Sequence, residues 1–133
     1  MLSETVRPQP ARGVLAWLEE QNEEALHLSV VTLGELHKGI AKLRDGERKQ
    51  RLASWVDVML VERFAGRLIG IDAPVASAWG VLAGELESVG RPLPVLDGLI
   101  AATARVHGLT VVTRNTGHFC GCGVRVFDPW LDT

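Results

Sequence analysis

Apolar positions along the chain switch repeatedly between a helical period and short β-branched runs. That alternation predicts a single α/β domain over residues 1–133, with no linker and no internal repeat. Val14, Leu15, Trp17 and Leu18 form a helical stripe behind the Pro8-Gln-Pro10 opening, and residues 26–31 read as a short buried strand. Thr32-Leu-Gly-Glu35 has the Ser/Thr-x-x-Glu form of a capping box, opening a helix that carries Leu36, Ile40 and Leu43 until Asp45-Gly46 stops it. A long amphipathic helix follows over residues 47–64, with Leu52, Trp55, Val56, Met59, Leu60 and Phe64 on its apolar side and Gly66 closing it. Residues 68–71 give the next strand. Asp72 then caps a helix over 73–88, with Val75, Trp79, Leu82 and Leu86 at helical spacing, and Gly90-Arg-Pro-Leu-Pro94 breaks it. A further helix runs over 95–107 to a C-terminal cap at Gly108. Leu109-Thr-Val-Val-Thr113 is the clearest strand, and residues 124–127 form a short last one. Helices separate the strands, which predicts a mostly parallel sheet flanked by helices.

Composition narrows the class. The chain is 47% apolar and 23% charged with six prolines, a globular balance, and no apolar run approaches the roughly 20 residues of a membrane span. A net charge of −2 gives no global electrostatic case for wrapping nucleic acid, so such a partner would be held by a local patch or through a metal ion. The opening residues lack the basic segment and apolar core of a secretory signal, and with only Cys120 and Cys122 present a reducing cytoplasm is the expected compartment. His118, Cys120 and Cys122 are soft metal ligands in sequence, but zinc sites space their ligands more widely and need a fourth. Two small residues in a Gly-rich turn is the reading taken.

In an open parallel sheet the functional crevice lies beyond the carboxyl ends of the strands. Three polar residues fall there: Glu35 after the first strand, Asn115 after the 109–113 strand, and Asp97 at the start of a helix behind a Pro-rich turn. Each also has a purely structural role open to it, as capping-box partner, turn former and first-turn acid respectively.

Several segments, in order, resemble a known family. Ser29-Val-Val-Thr-Leu-Gly-Glu35, Asp72 followed by Val75-Ala76 and Trp79, Pro94-Val-Leu-Asp97-Gly-Leu-Ile-Ala-Ala-Thr-Ala104, and Thr113-Arg-Asn115-Thr-Gly-His-Phe119 with Pro129-Trp130 are similar to PIN domains of the VapC/FitB type. The resemblance implies a three-layer PIN-like α/β fold. It further implies the toxin component of a type II toxin–antitoxin pair: a homodimeric, metal-dependent endoribonuclease inhibited by a small DNA-binding antitoxin. On that likeness Glu35 and Asp97 are catalytic and metal-site acids, Asn115 is a third ligand, Thr113 and Ser3 support the site, and the ion is Mg²⁺ or Mn²⁺. Crowded carboxylates repel one another and stay ionised when a hard cation sits among them, which suits such a cluster.

Two departures from the family pattern matter. The family opens with a strand of the form aliphatic-aliphatic-Asp-Thr-Asn-Val/Ile ahead of a Ser-Glu pair, and here Met1-Leu2-Ser3-Glu4 stands without it. Met1 occupies the aliphatic position, so the expectation is a true start about six residues upstream. On that expectation residues 1–133 are an N-terminally truncated PIN-like domain, poorly stable and inactive until extended, because an internal strand would be lost from the sheet. The second departure is Asn115, where some members carry an acid. Its carbonyl oxygen can coordinate but brings no charge. His118, where many members carry Asp, suits the cleft wall or solvent better than a hard-oxygen metal site.

Residues 37–51 hold Lys38, Lys42, Arg44, Arg48, Lys49 and Arg51 against Asp45 and Glu47. An RNA-contacting rim, a solvated helix face, and a dimer or antitoxin interface are all open readings of this run. Trp17, Trp55 and Trp79 fit core or interface anchors better than base-stacking platforms. Two rival functions stand beside the nuclease: a catalytically impaired PIN-like protein that binds antitoxin or RNA without cleaving, and an unrelated α/β binding domain whose acids are only caps.

Overall fold

A computed structural model describes residues 25–113, 116–119 and 121–128. The Val14 to Leu18 stripe, Ser3, Asn115, Cys120 and Pro129-Trp130 lie outside the described residues. Strand β1 is only Leu28–Ser29, followed at once by helix α1, Val30–Ala41. The apolar run 26–31 is therefore part strand and part helix. Ser29 decides the boundary: its extended backbone ends the strand and its Oγ accepts a hydrogen bond from the Val31 N–H at 3.1 Å, satisfying a donor that the first turn leaves open. The expected capping box at Thr32 is thus corrected. Thr32 is buried inside the helix with Val31, Leu36 and Ile40, and burial along this stripe outweighs the β-preference of the Val30-Val31 pair. The helix also stops at Ala41 rather than at Asp45-Gly46.

Helix α2 spans 47–63 and changes winding along its length, from α over Glu47–Ser54 to π over Trp55–Leu60 and back to α over Val61–Arg63. Widening the turn rotates the apolar stripe. Val56, Leu60 and Phe64, spaced four apart, are buried, whereas Met59, expected on the apolar side, is 60% exposed. Arg67 ties the end of this helix back to β1, donating to the Leu26 carbonyl at 3.0 Å and lying over the Phe64 ring, 5.1 Å from its centre.

Strand β2, Leu68–Ile69, runs parallel to β1 with Leu28 opposite Leu68. Helix α3, Ala73–Ser88, begins where expected, with Asp72 Oδ1 accepting from the Val75 N–H at 3.1 Å. Helix α4, Val95–His107, ends at Gly108 in the left-handed conformation, φ 65°. Strands β3, Val111–Val112, and β4, Val126–Phe127, form a second parallel pair. Every pairing is parallel, and among the described residues the strands make two separate two-stranded sheets, β1 with β2 and β3 with β4. Two cores match them. One joins Leu28, Leu36, Ile40, Val56, Leu60 and Phe64; the other joins Leu82, Leu86, Ala101, Ala104, Val111, Phe119 and Cys122. Cys122 is buried between Gly121 and Gly123, both at positive φ, which makes this the tight Gly-rich turn expected. No helix among the described residues is long and apolar enough to cross a membrane.

Candidate active site and metal centre

The two candidate acids come from helices that pack against each other. Asp97 lies in the first turn of α4, which starts at Pro94, whose carbonyl accepts from the Gly98 N–H at 2.9 Å. A carboxylate in a first turn faces the positive end of the helix dipole. Glu35 lies in the second turn of α1, and α1 touches α4. The packing brings together two carboxyl groups 62 residues apart in sequence. Although Glu35 keeps more than a third of its surface in water, burial lifts its pKa above the ordinary 4.5, the negative charge of Asp97 adds to the rise, and the Lys38 ammonium opposes it. The Asp97 effect puts the two carboxyl groups within electrostatic reach of each other.

Because Ser29 rather than Thr32 caps α1, Glu35 is too far along the helix to be a capping-box partner. Its structural alternative is removed. Asp97, in the first turn of α4, keeps both roles open. Thr113 follows the carboxyl end of β3, 9% exposed, its N–H donating to the Phe127 carbonyl at 3.0 Å. Among the described residues no group of three or more His, Cys, Asp or Glu side chains is placed so that it could hold a metal ion. Asn115 and Ser3 lie outside the described residues. A cavity of about 630 Å³ lined by His27, Arg67, Asp72, His107 and Leu109 shares no residue with the acid pair.

Two tertiary contacts escaped the sequence reading, the first of them beside Asp97. A Cβ on Gly98 would sit 2.9 Å from both Cδ1 and Nε1 of Trp79, so this glycine lets the α3 indole lie against the α4 backbone beside Asp97. The adjacency Asp97-Gly98, with Trp79 one helix earlier, was the available signal. His37 Nε2 lies 3.0 Å from Asp57 Oδ1, linking α1 to the π-wound stretch of α2. That pair joins residues 20 apart, and no local pattern announces it.

The sequence profile of the PIN domain matches residues 2–120. The chain belongs to the PIN-domain family. Toxin FitB of Neisseria gonorrhoeae is 40% identical over 132 residues, covering 99% of this chain and 95% of the relative. VapC ribonuclease Y4jK of Sinorhizobium fredii is 33% identical over 130 residues, covering 98% and 93%. The crystal structure of FitAcB from Neisseria gonorrhoeae superposes with a TM-score of 0.90 at 40% identity, covering 97% of this chain and 93% of that one. Short parallel strands with helices between them are thus the PIN fold, as the resemblance implied.

Proposed function

We propose that this PIN-domain protein is the toxin of a type II toxin–antitoxin pair, acting in the cytoplasm as a metal-dependent endoribonuclease and held in check by a small DNA-binding antitoxin. The observation that carries the nuclease reading is the pairing of Glu35 with Asp97 across the α1–α4 contact. The similarity to proteins named as toxin and as ribonuclease supports it. The donor set suits a hard divalent cation: carboxylate oxygens that repel one another, with burial raising the pKa of one, gain from a positive charge between them. Glu35 and Asp97 would hold Mg²⁺ or Mn²⁺, with the Asn115 carbonyl oxygen as a neutral third ligand. Bound there, the ion supplies a water of lowered pKa and neutralises charge on phosphate oxygens.

The chain's own groups do the rest. Asp97 comes from the first turn of α4. Lys38 offsets part of the repulsion that Glu35 feels. Thr113, at the carboxyl end of β3, and Ser3 are the hydroxyl-bearing residues that the family likeness assigns to support the site. The protein works as a homodimer.

Cleavage of a generic RNA, measured with added Mg²⁺ or Mn²⁺ and again with chelator, tests this reading. Glu35→Gln and Asp97→Asn each reduce metal-dependent cleavage at least 100-fold while shifting stability by less than about 1 kcal/mol, because both retain hydrogen bonding but lose charge. Absence of products from the parent at every metal concentration would instead favour a binding protein without activity, in keeping with Asn115 supplying no charge.

A further inference from the structure

The three lysines of the basic run at 37–51 fall into two unlike groups. Lys49 is engaged: its Nζ donates to Asp45 Oδ1 at 3.1 Å and to the Ala41 carbonyl at 3.3 Å. Lys38 and Lys42 are on α1 and at its C-terminal cap, exposed, and neither ammonium enters a hydrogen bond or ion pair among the described residues. Steps of three and then four residues from Glu35 return to the same side of a helix, about 4.5 and 10.5 Å along its axis. Leu36 and Ile40, on the opposite side of α1, are buried. One exposed face therefore carries the acid first, then Lys38, whose charge acts on Glu35, and then Lys42.

We propose that Lys38 and Lys42 form a phosphate track that grips the backbone of the RNA strand next to the Glu35–Asp97 site. The inference rests on the nuclease reading for the identity of the strand, and on the placement of the two lysines for the track. The net charge of −2 is what makes a local track necessary. A polyanion is repelled by the acid pair itself and is held only where cations outnumber acids. Long, flexible ammonium side chains suit sequence-independent backbone contact, which steers a strand without reading its bases. The track also assigns Lys49 no part, because its charge is already neutralised by Asp45.

Binding without catalysis separates this proposal from the nuclease reading. A fluorescein-labelled 12-nucleotide oligouridylate is titrated with the parent protein in chelator, and its affinity is followed against salt. Each single-strand phosphate contact contributes roughly 0.7 to the slope of log affinity against log salt. Lys38→Gln/Lys42→Gln lowers the slope by about 1.4, equivalent to about 25-fold weaker binding at 0.1 M salt when 1 M is taken as the common point. Lys49→Gln leaves the slope unchanged, and circular dichroism shows all variants folded. An unchanged slope in the double variant, an equal fall in Lys49→Gln, or a parent that fails to bind overturns the track. So does a parent that binds an oligoglutamate peptide through the same lysines while ignoring the RNA, since the face would then serve a protein. Glu35→Gln retains RNA binding in chelator even where it abolishes cleavage, so failure of the nuclease reading and failure of the track are distinguishable.

Discussion

At the scale of single residues, the acid pair makes predictions that need no substrate. Asp97 contributes to the raised pKa of Glu35 and Lys38 opposes it. Asp97→Asn therefore moves the Glu35 carboxyl back toward 4.5 and Lys38→Gln moves it further up, both readable by carboxyl carbon NMR titration. No movement in Asp97→Asn would show the acids to be too far apart to share an ion. The sign for stability follows from proton linkage. A carboxyl whose pKa is higher in the folded chain favours the protonated native state. Its contribution is most favourable below the unfolded value and is lost as pH rises through the folded one. Glu35→Gln is accordingly neutral to stabilising at pH 7, by less than about 1 kcal/mol because the group is substantially exposed, and the gain vanishes near pH 3 in urea unfolding. Cleavage needs the ionised carboxylate, so it falls on acidification, and added metal ion opposes that fall by favouring the charged form.

At the scale of elements, boundaries and close approaches are the testable features. Ser29 caps α1, so Ser29→Ala costs about 1 kcal/mol in urea unfolding. A smaller cost would return the cap to Thr32. The α3–α4 contact depends on Gly98 having no side chain, since a methyl there would meet the Trp79 indole at 2.9 Å. Gly98→Ala gains about 1 kcal/mol of helix propensity but forces overpacking of roughly 1–3 kcal/mol, so it is destabilising on balance. In a Trp79→Ala background the clash is gone and Gly98→Ala becomes stabilising by about 1 kcal/mol. The same sign in both backgrounds would show that the indole moves aside freely. These elements also show what sequence alone conveys at this scale. Helices α3 and α4 match their expected bounds because Asp72, Pro94 and Gly108 are strong local punctuation. Helix α1 does not, because Ser29 and Thr32 offer competing caps and only the burial of Val31 and Thr32 selects between them.

At the scale of the whole molecule, the described strands form two parallel pairs rather than one sheet. What the sequence by itself determined is the succession of helices and strands, their parallel sense, the family, and the choice of Glu35 and Asp97 as candidate acids. Periodicity, caps and motifs are local, and they survive without knowledge of what packs on what. The tertiary structure alone decided three things: that Glu35 feels the charge of Asp97, that Trp79 rests on Gly98, and that the π-wound stretch of α2 turns Met59 out to solvent. Each depends on the distance between residues far apart in the chain, or on how a helix winds to fit its neighbours, and no pattern read along one strand of sequence contains that distance.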